Sequence, residues 1–161
     1  MHTTTALAIK EFGLRFRTGF LKDRLFHAAF LAGPVFLWAA HVAWPEWQHG
    51  LPLSFSLLVS MIFIQPLAEE VFFRGFLQGH LDRIFYHRYV IRGVSLANLV
   101  TTLAFCIAHL VHQPVPWALA VMAPSLAFGF FRERHQHIYS AAILHCFYNA
   151  AFIYAGAQYA L

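Results

Sequence analysis

Five apolar runs joined by short polar connections leave this sequence few ways to fold. They are Leu25 to Trp44, Leu51 to about Leu81, Gly93 to His112, Trp117 to Phe131 and Ile138 to about Tyr159. A helix needs about 20 residues to cross the hydrocarbon core of a bilayer, and most of these runs are near that length. Composition agrees. Hydrophobic residues make up 60% of the 161, and charged residues 11%, against roughly 25% in soluble domains. A soluble domain of this size has too much surface to hide that apolar fraction. The chain therefore reads as an all-α, polytopic integral membrane helical bundle of about five transmembrane helices. The same numbers exclude a disordered chain and a nucleic-acid binder. Two cysteines without framework spacing exclude a disulfide scaffold.

The basic residues set an orientation. Five of the eleven Lys and Arg precede the first run. Arg83, Arg88 and Arg92 lie between the second and third, and Arg132 and Arg134 between the fourth and fifth. The other two connections, Pro45 to Gly50 and Gln113 to Pro116, have none. This alternation predicts the N-terminus inside and the C-terminus outside. Residues 1–24 read as an amphipathic segment on an anionic surface, and 25–161 as one transmembrane domain. Trp44-Pro45-Glu46-Trp47 looks like an interfacial aromatic belt. Pro66 predicts a kink or tilt in the second run, and Pro124 with Gly129 a tilted or broken fourth.

Several polar residues in these runs are costly in lipid, and a salt bridge holding two helices together accounts for Glu70 and Arg74 but not for the others. Glu69-Glu70-Val71-Phe72-Phe73-Arg74 places three ionisable groups in the second run, at about 2.5–3.5 kcal/mol each on insertion scales. Glu70 and Arg74 are four apart, so they share a helix face and can pair. Glu69 is turned about 100° away, which leaves a spare carboxylate suited to acid–base chemistry. The third run carries Phe105 and His109 on one face, and the fifth carries His145 and Asn149, again four apart. Polar groups on three helices predict convergence on a single site. The other nine histidines read as interfacial or loop residues, and Cys106 and Cys146 as small apolar packing.

Glu69-Glu70-x-x-x-Arg74, Phe105-x-x-x-His109 and His145-x-x-x-Asn149, in that order on successive apolar helices, resemble the CAAX prenyl protease and bacteriocin-processing family of intramembrane endopeptidases (CPBP, or ABI). Gly75, Phe76 and Leu77 and the Phe128-to-Asn149 stretch are also similar, and the resemblance spans about 60–152. It implies a glutamic-type protease without a metal cofactor. Glu69 and His109 would activate water, and His145 and Asn149 would form the oxyanion site. Glu70 and Arg74 would support the helix and orient the first glutamate, with Phe105 in support. It further implies a membrane-associated peptide or protein as substrate, the lipid bilayer as environment and a prokaryotic cytoplasmic membrane as location. The implied roles are peptide maturation or the processing of C-terminal sorting signals.

Competing arrangements are poorer fits. No His-Glu-x-x-His, Gly-x-Gly-Asp or Gly-x-Ser-Gly occurs. Zinc held by Glu69, His109 and His145 is the alternative cofactor. A bis-His haem protein would use His109 and His145 but leaves Glu69, Glu70 and Arg74 unexplained. A non-catalytic immunity or scaffold protein is the remaining alternative, and the intact motif positions favour catalysis over it.

Overall fold

The computed structural model describes residues 12–43, 54–91 and 93–157. Residues 1–11, the Trp44–Trp47 belt and Arg92 lie outside the described residues. The chain is mostly helical, and the helices lie on the apolar runs. Helix α1 is Arg24–Ala43 and α2 is the 30-residue run Phe55–Ile84. Next come α3 (Leu96–His109), α4 (Val115–Ala120), α5 (Met122–His135) and α6 (Tyr139–Ala157). Two runs, Phe55–Ile84 and Val115–His135, are long and apolar enough to cross a membrane. Arg24–Ala39 and Leu96–His109 are apolar but shorter.

Helix α2 shows what Pro66 does. Proline cannot donate to the carbonyl four residues back, yet the helix is not interrupted. The turn before it widens into a π segment, Ser60–Ile64, and Gln65 donates its N–H to the Ser60 carbonyl instead. A second π segment, Val71–Gln78, follows Glu70. In α4 and α5 the predicted break occurs at Val121. Pro124 has no N–H for the carbonyl of residue 120, so α4 stops there.

The third helix starts later than the apolar run. Tyr89–Ile91 (β1) and Val94–Ser95 (β2) pair antiparallel around Gly93, whose φ of 86° favours glycine. This ribbon, exposed along β1 and buried at Ser95, is an addition to the all-α reading. Ser95 then caps α3, its Oγ accepting from Asn98 N at 2.9 Å. At 14 residues α3 is about 21 Å long.

Helix α6 is packed against α1 and α5. Tyr148 donates to the Ala29 carbonyl, and Phe30 stacks on Phe147 at 3.7 Å. Gly33 permits this contact, since a Cβ there would sit 2.2 Å from the Tyr148 ring. Likewise a Cβ on Gly129 would meet Asn98 Oδ1 at 2.0 Å, so glycine lets α5 approach α3.

Residues 12–18 are irregular, with a 3-10 turn at Gly19–Lys22, and they fold across one end of the bundle. The Gly13 carbonyl accepts from Ile138 N at 3.0 Å, and Tyr139 donates to the Leu14 carbonyl at 2.9 Å. Phe20 is buried against Phe26, His135 and His137. His137 is thus a core residue of this end rather than an interfacial one.

This end titrates. Asp23 accepts from Arg134 and from His135 Nε2, and the hydrogen bond from Arg134 does most to hold its carboxyl at about 2, below the usual 3.8. Burial, helped by the charges of His135 and Arg17, lowers His137 below the ordinary 6.5. Both folded pKa values are depressed. Each group contributes stability above its unfolded value, and loses it as pH falls through the folded one. On acidification the His137 contribution is lost first, below 6.5, and that of Asp23 only below 3.8. The melting temperature of detergent-solubilised protein should therefore begin to fall near pH 6.5. His137→Gln should delay the fall. A wild-type melting temperature that stays flat down to about pH 4.5 would count against this account.

Candidate active site

Glu70, Arg74, Gln78 and Asp82 are all buried, four residues apart along α2. In a regular α-helix each step of four overshoots a full turn by about 40°, so such a stripe would wind out of the core. The Val71–Gln78 π segment has wider turns, which offset that drift and keep the stripe facing inward. Glu69 falls outside the stripe. Its side chain is 34% exposed, against 0% for Glu70.

Arg74 is held from three sides, while its Nε has no hydrogen-bond partner among the described residues. It donates to Glu70 Oε1 at 2.9 Å, to Ser125 Oγ at 2.8 Å and to the Ser125 carbonyl at 3.2 Å. Its guanidinium carbon lies 4.6 Å from the Phe105 ring centre and 5.3 Å from that of Phe128. A buried cation is tolerated only with such compensation. Ser125 in turn donates to Thr102 Oγ1 at 3.1 Å, and Thr102 to Asn98 Oδ1 at 3.3 Å. This one-way relay ties α2, α3 and α5 together. Its members are small polar residues in apolar helices, and Asn98 and Thr102 at i, i+4 are the only local signal that could have revealed them.

His145 sits between the two carboxylates. Its Nδ1 lies 2.8 Å from Glu70 Oε1, and its Nε2 lies 3.6 Å from Glu69 Oε2. The Glu70 carboxylate already accepts from Arg74, so it accepts here too and His145 Nδ1 donates. That fixes the ring with Nε2 toward Glu69. Glu70 therefore reaches the site through His145, beyond its expected role in supporting its own helix. The ring stacks on Phe128 at 4.9 Å. Glu70 Oε2 has no hydrogen-bond partner among the described residues.

His109 is held in a comparable way. Its Nδ1 donates to the Phe105 carbonyl at 2.9 Å, one turn back, which leaves Nε2 as the unengaged ring nitrogen. Asn149 donates through Nδ2 to the Met61 carbonyl at 2.9 Å, joining α6 to α2. Glu69, His109, His145 and Asn149 all line one cavity of about 440 Å³, together with Phe105 and otherwise mainly apolar side chains. The residues expected to converge thus meet on one space, with Glu70 and Arg74 sealed behind it. Cys106 and Cys146 are free thiols.

Among the described residues, no group of three or more His, Cys, Asp and Glu side chains is placed to hold a metal ion. The zinc alternative of Glu69, His109 and His145 forms no such group.

Neither the curated proteins nor the solved structures compared with the chain include a match. A family model, that of type II CAAX prenyl endopeptidase Rce1-like proteins, matches residues 50–151. That stretch is well over half of the chain and contains every residue of the site just described. That family is one of proteases, and the family match together with the two long apolar runs points to a membrane protein. The chain belongs to the type II CAAX prenyl endopeptidase Rce1-like family.

Proposed function

We propose that this chain is an intramembrane endopeptidase that hydrolyses a peptide bond in a membrane-associated polypeptide through a water activated by Glu69 and His109. The observation that carries this reading is the contrast between adjacent glutamates. Glu69 lies in the cavity and is partly exposed, whereas Glu70 is sealed in an ion pair. A general base must reach both water and substrate, and only Glu69 of the two can.

In this mechanism Glu69 takes a proton as the water oxygen attacks the scissile carbonyl carbon. His109 Nε2 accepts a hydrogen bond from the same water, because Nδ1 is occupied by the Phe105 carbonyl. Charge develops on the carbonyl oxygen, where hydrogen-bond donors have their largest effect. His145, carrying a second proton so that Nε2–H donates while Nδ1–H stays on Glu70, and an amide hydrogen of Asn149 donate to it. The C–N bond then breaks, and the proton held by Glu69 passes to the leaving amine. Glu70 keeps the His145 ring in register, and Arg74 holds Glu70 in place.

We further propose a prokaryotic cytoplasmic membrane as its location; the distribution of its basic residues supports the N-terminus inside and the C-terminus outside. Its substrates would be bacteriocin-like peptides or C-terminal membrane-anchored sorting signals. The test is cleavage of single-span peptides in proteoliposomes by wild-type and Glu69→Ala protein. Cleavage by the wild type alone, undiminished by a chelator, is the expected result. Activity lost to the chelator and restored by zinc, or equal cleavage by both proteins, would overturn the mechanism.

A further inference from the structure

Two levels of polar groups line the cavity, one helical turn apart. Glu69, His109 and His145 form the first. The second is made of amides, Gln65, Gln113 and Asn149, each four residues from a member of the first. Gln65 and Glu69 lie in one regular α-helical stretch, Gln65–Glu70, and His145 and Asn149 both lie in α6. Gln113 N donates to the His109 carbonyl at 2.8 Å, which carries a helical turn past the end of α3. A step of four residues is about 6 Å along a helix axis.

The amides fall on one side of the first level because the helices alternate in direction. As α6 advances from His145 to Asn149, its partners on α2 recede from Glu70 to Met61. The third helix also runs against α2. Its Ser95 cap donates to Glu133, as Gln78 does, and ten residues on, Phe105 meets Phe73 at 5.0 Å. The residue four before Glu69 therefore lies on the same side as the residues four after His109 and His145.

The rest of the lining, as described, cannot do what these amides can. It is mainly apolar, Tyr148 already donates to the Ala29 carbonyl, and Trp117 can donate but not accept. Asn149 is tied to the Met61 carbonyl and faces the oxyanion. Gln65 and Gln113 each carry both a donor and an acceptor. Both are exposed, and Gln65 is loosely held, its Nε2 lying 3.4 Å from Ser60 Oγ. A peptide bond is open to attack only where its chain is unwound, and an unwound segment in an apolar site must have its N–H and C=O groups satisfied by the protein.

We propose that Gln65 and Gln113 bind the main chain of the substrate, pairing with peptide N–H and C=O groups beside the scissile bond. This rests on the protease reading above. An extended chain rises about 3.3 Å per residue. The amide level, about 6 Å from the first level, thus meets the peptide units about two residues from the bond that Glu69 and His109 address. Recognition at this level is of main chain rather than of charge. The bound class is an unwound polypeptide with apolar side chains over that stretch, and the identity of those side chains is exchangeable.

The test uses the full chain in detergent micelles and a fluorescein-labelled, apolar single-span peptide. A series of analogues each carries one main-chain N-methyl group, which removes one N–H donor. Binding is read by anisotropy on Glu69→Gln protein, and KM and kcat on protein with Glu69 intact. Gln65→Met and Gln113→Met keep the length of the side chain and remove its amide. Each should weaken binding and raise KM about 10-fold, with kcat and the melting temperature held. N-methylation about two residues from the scissile bond should weaken binding to the parent protein similarly, and should cost the matching variant little further. Gln113 lies in a turn, so Gln113→Met carries the test even where Gln65→Met does not fold. Losses that add in full at every N-methyl position, or a fall in kcat with binding intact, would overturn the proposal, since a residue that only shapes its helix gives that result. The expected binding pattern without cleavage supports the amide level and counts against the protease reading.

Discussion

Glu69→Gln should abolish peptide cleavage and leave the protein folded. Glutamine keeps the size of the side chain and most of its hydrogen bonding, but it cannot take a proton from water. Loss of general-base catalysis typically costs about 10²–10⁴-fold in rate, and kcat should fall at least that far. Stability should hardly change. Glu69 is partly exposed, and its contact with His145 is 3.6 Å, longer than a strong hydrogen bond. The check is kcat on a single-span peptide alongside the melting temperature in the same detergent. A Glu69→Gln protein that cleaves at the wild-type rate would show that the base has been assigned to the wrong carboxylate.

The buried pair behind it should respond in the opposite way. Arg74→Ala leaves the Glu70 carboxylate at 0% exposure without its cation and empties the space between Phe105 and Phe128. Breaking a buried pair by removing one partner costs about 3–5 kcal/mol. Glu70→Gln strands Arg74 and also weakens the bond to His145 Nδ1, so it should lose both stability and cleavage. The double variant Glu70→Gln/Arg74→Ala should be less destabilised than the two single losses added together, because the groups share one interaction. Denaturant or thermal unfolding of the four proteins measures this directly. Strict additivity would mean that the 2.9 Å contact contributes no coupling.

Some of the site was legible in the residues because it is local. The Glu70–Arg74 pairing follows from helical spacing alone, and so does the separation of Glu69 from it. The tie between His109 and the Phe105 carbonyl spans one turn of helix, and the shared face of that pair was readable. Ser125 was not legible. It is an ordinary small residue in an apolar run, and it matters because it lies beside Arg74 from 51 residues away. The same holds for His137, which resembles a loop histidine until Phe20 is packed against it. The ribbon at Tyr89–Ser95 was hidden because an apolar run reads alike as the start of a helix or as a short strand.

The sequence by itself determined that the chain forms apolar helices, that charge gathers at one end of them, and that two glutamates in a row must differ in role. These properties depend on composition and on helical period, which neighbouring residues set. Only the tertiary structure decided which remote groups meet. Glu70 finds His145 from 75 residues away, Asn149 is tied to Met61, and the described part of the N-terminal segment folds across the basic end. Contacts between helices depend on how faces pack, and packing turns on details such as the missing Cβ of Gly33 and Gly129 and the widened turns of α2. No local pattern encodes those details.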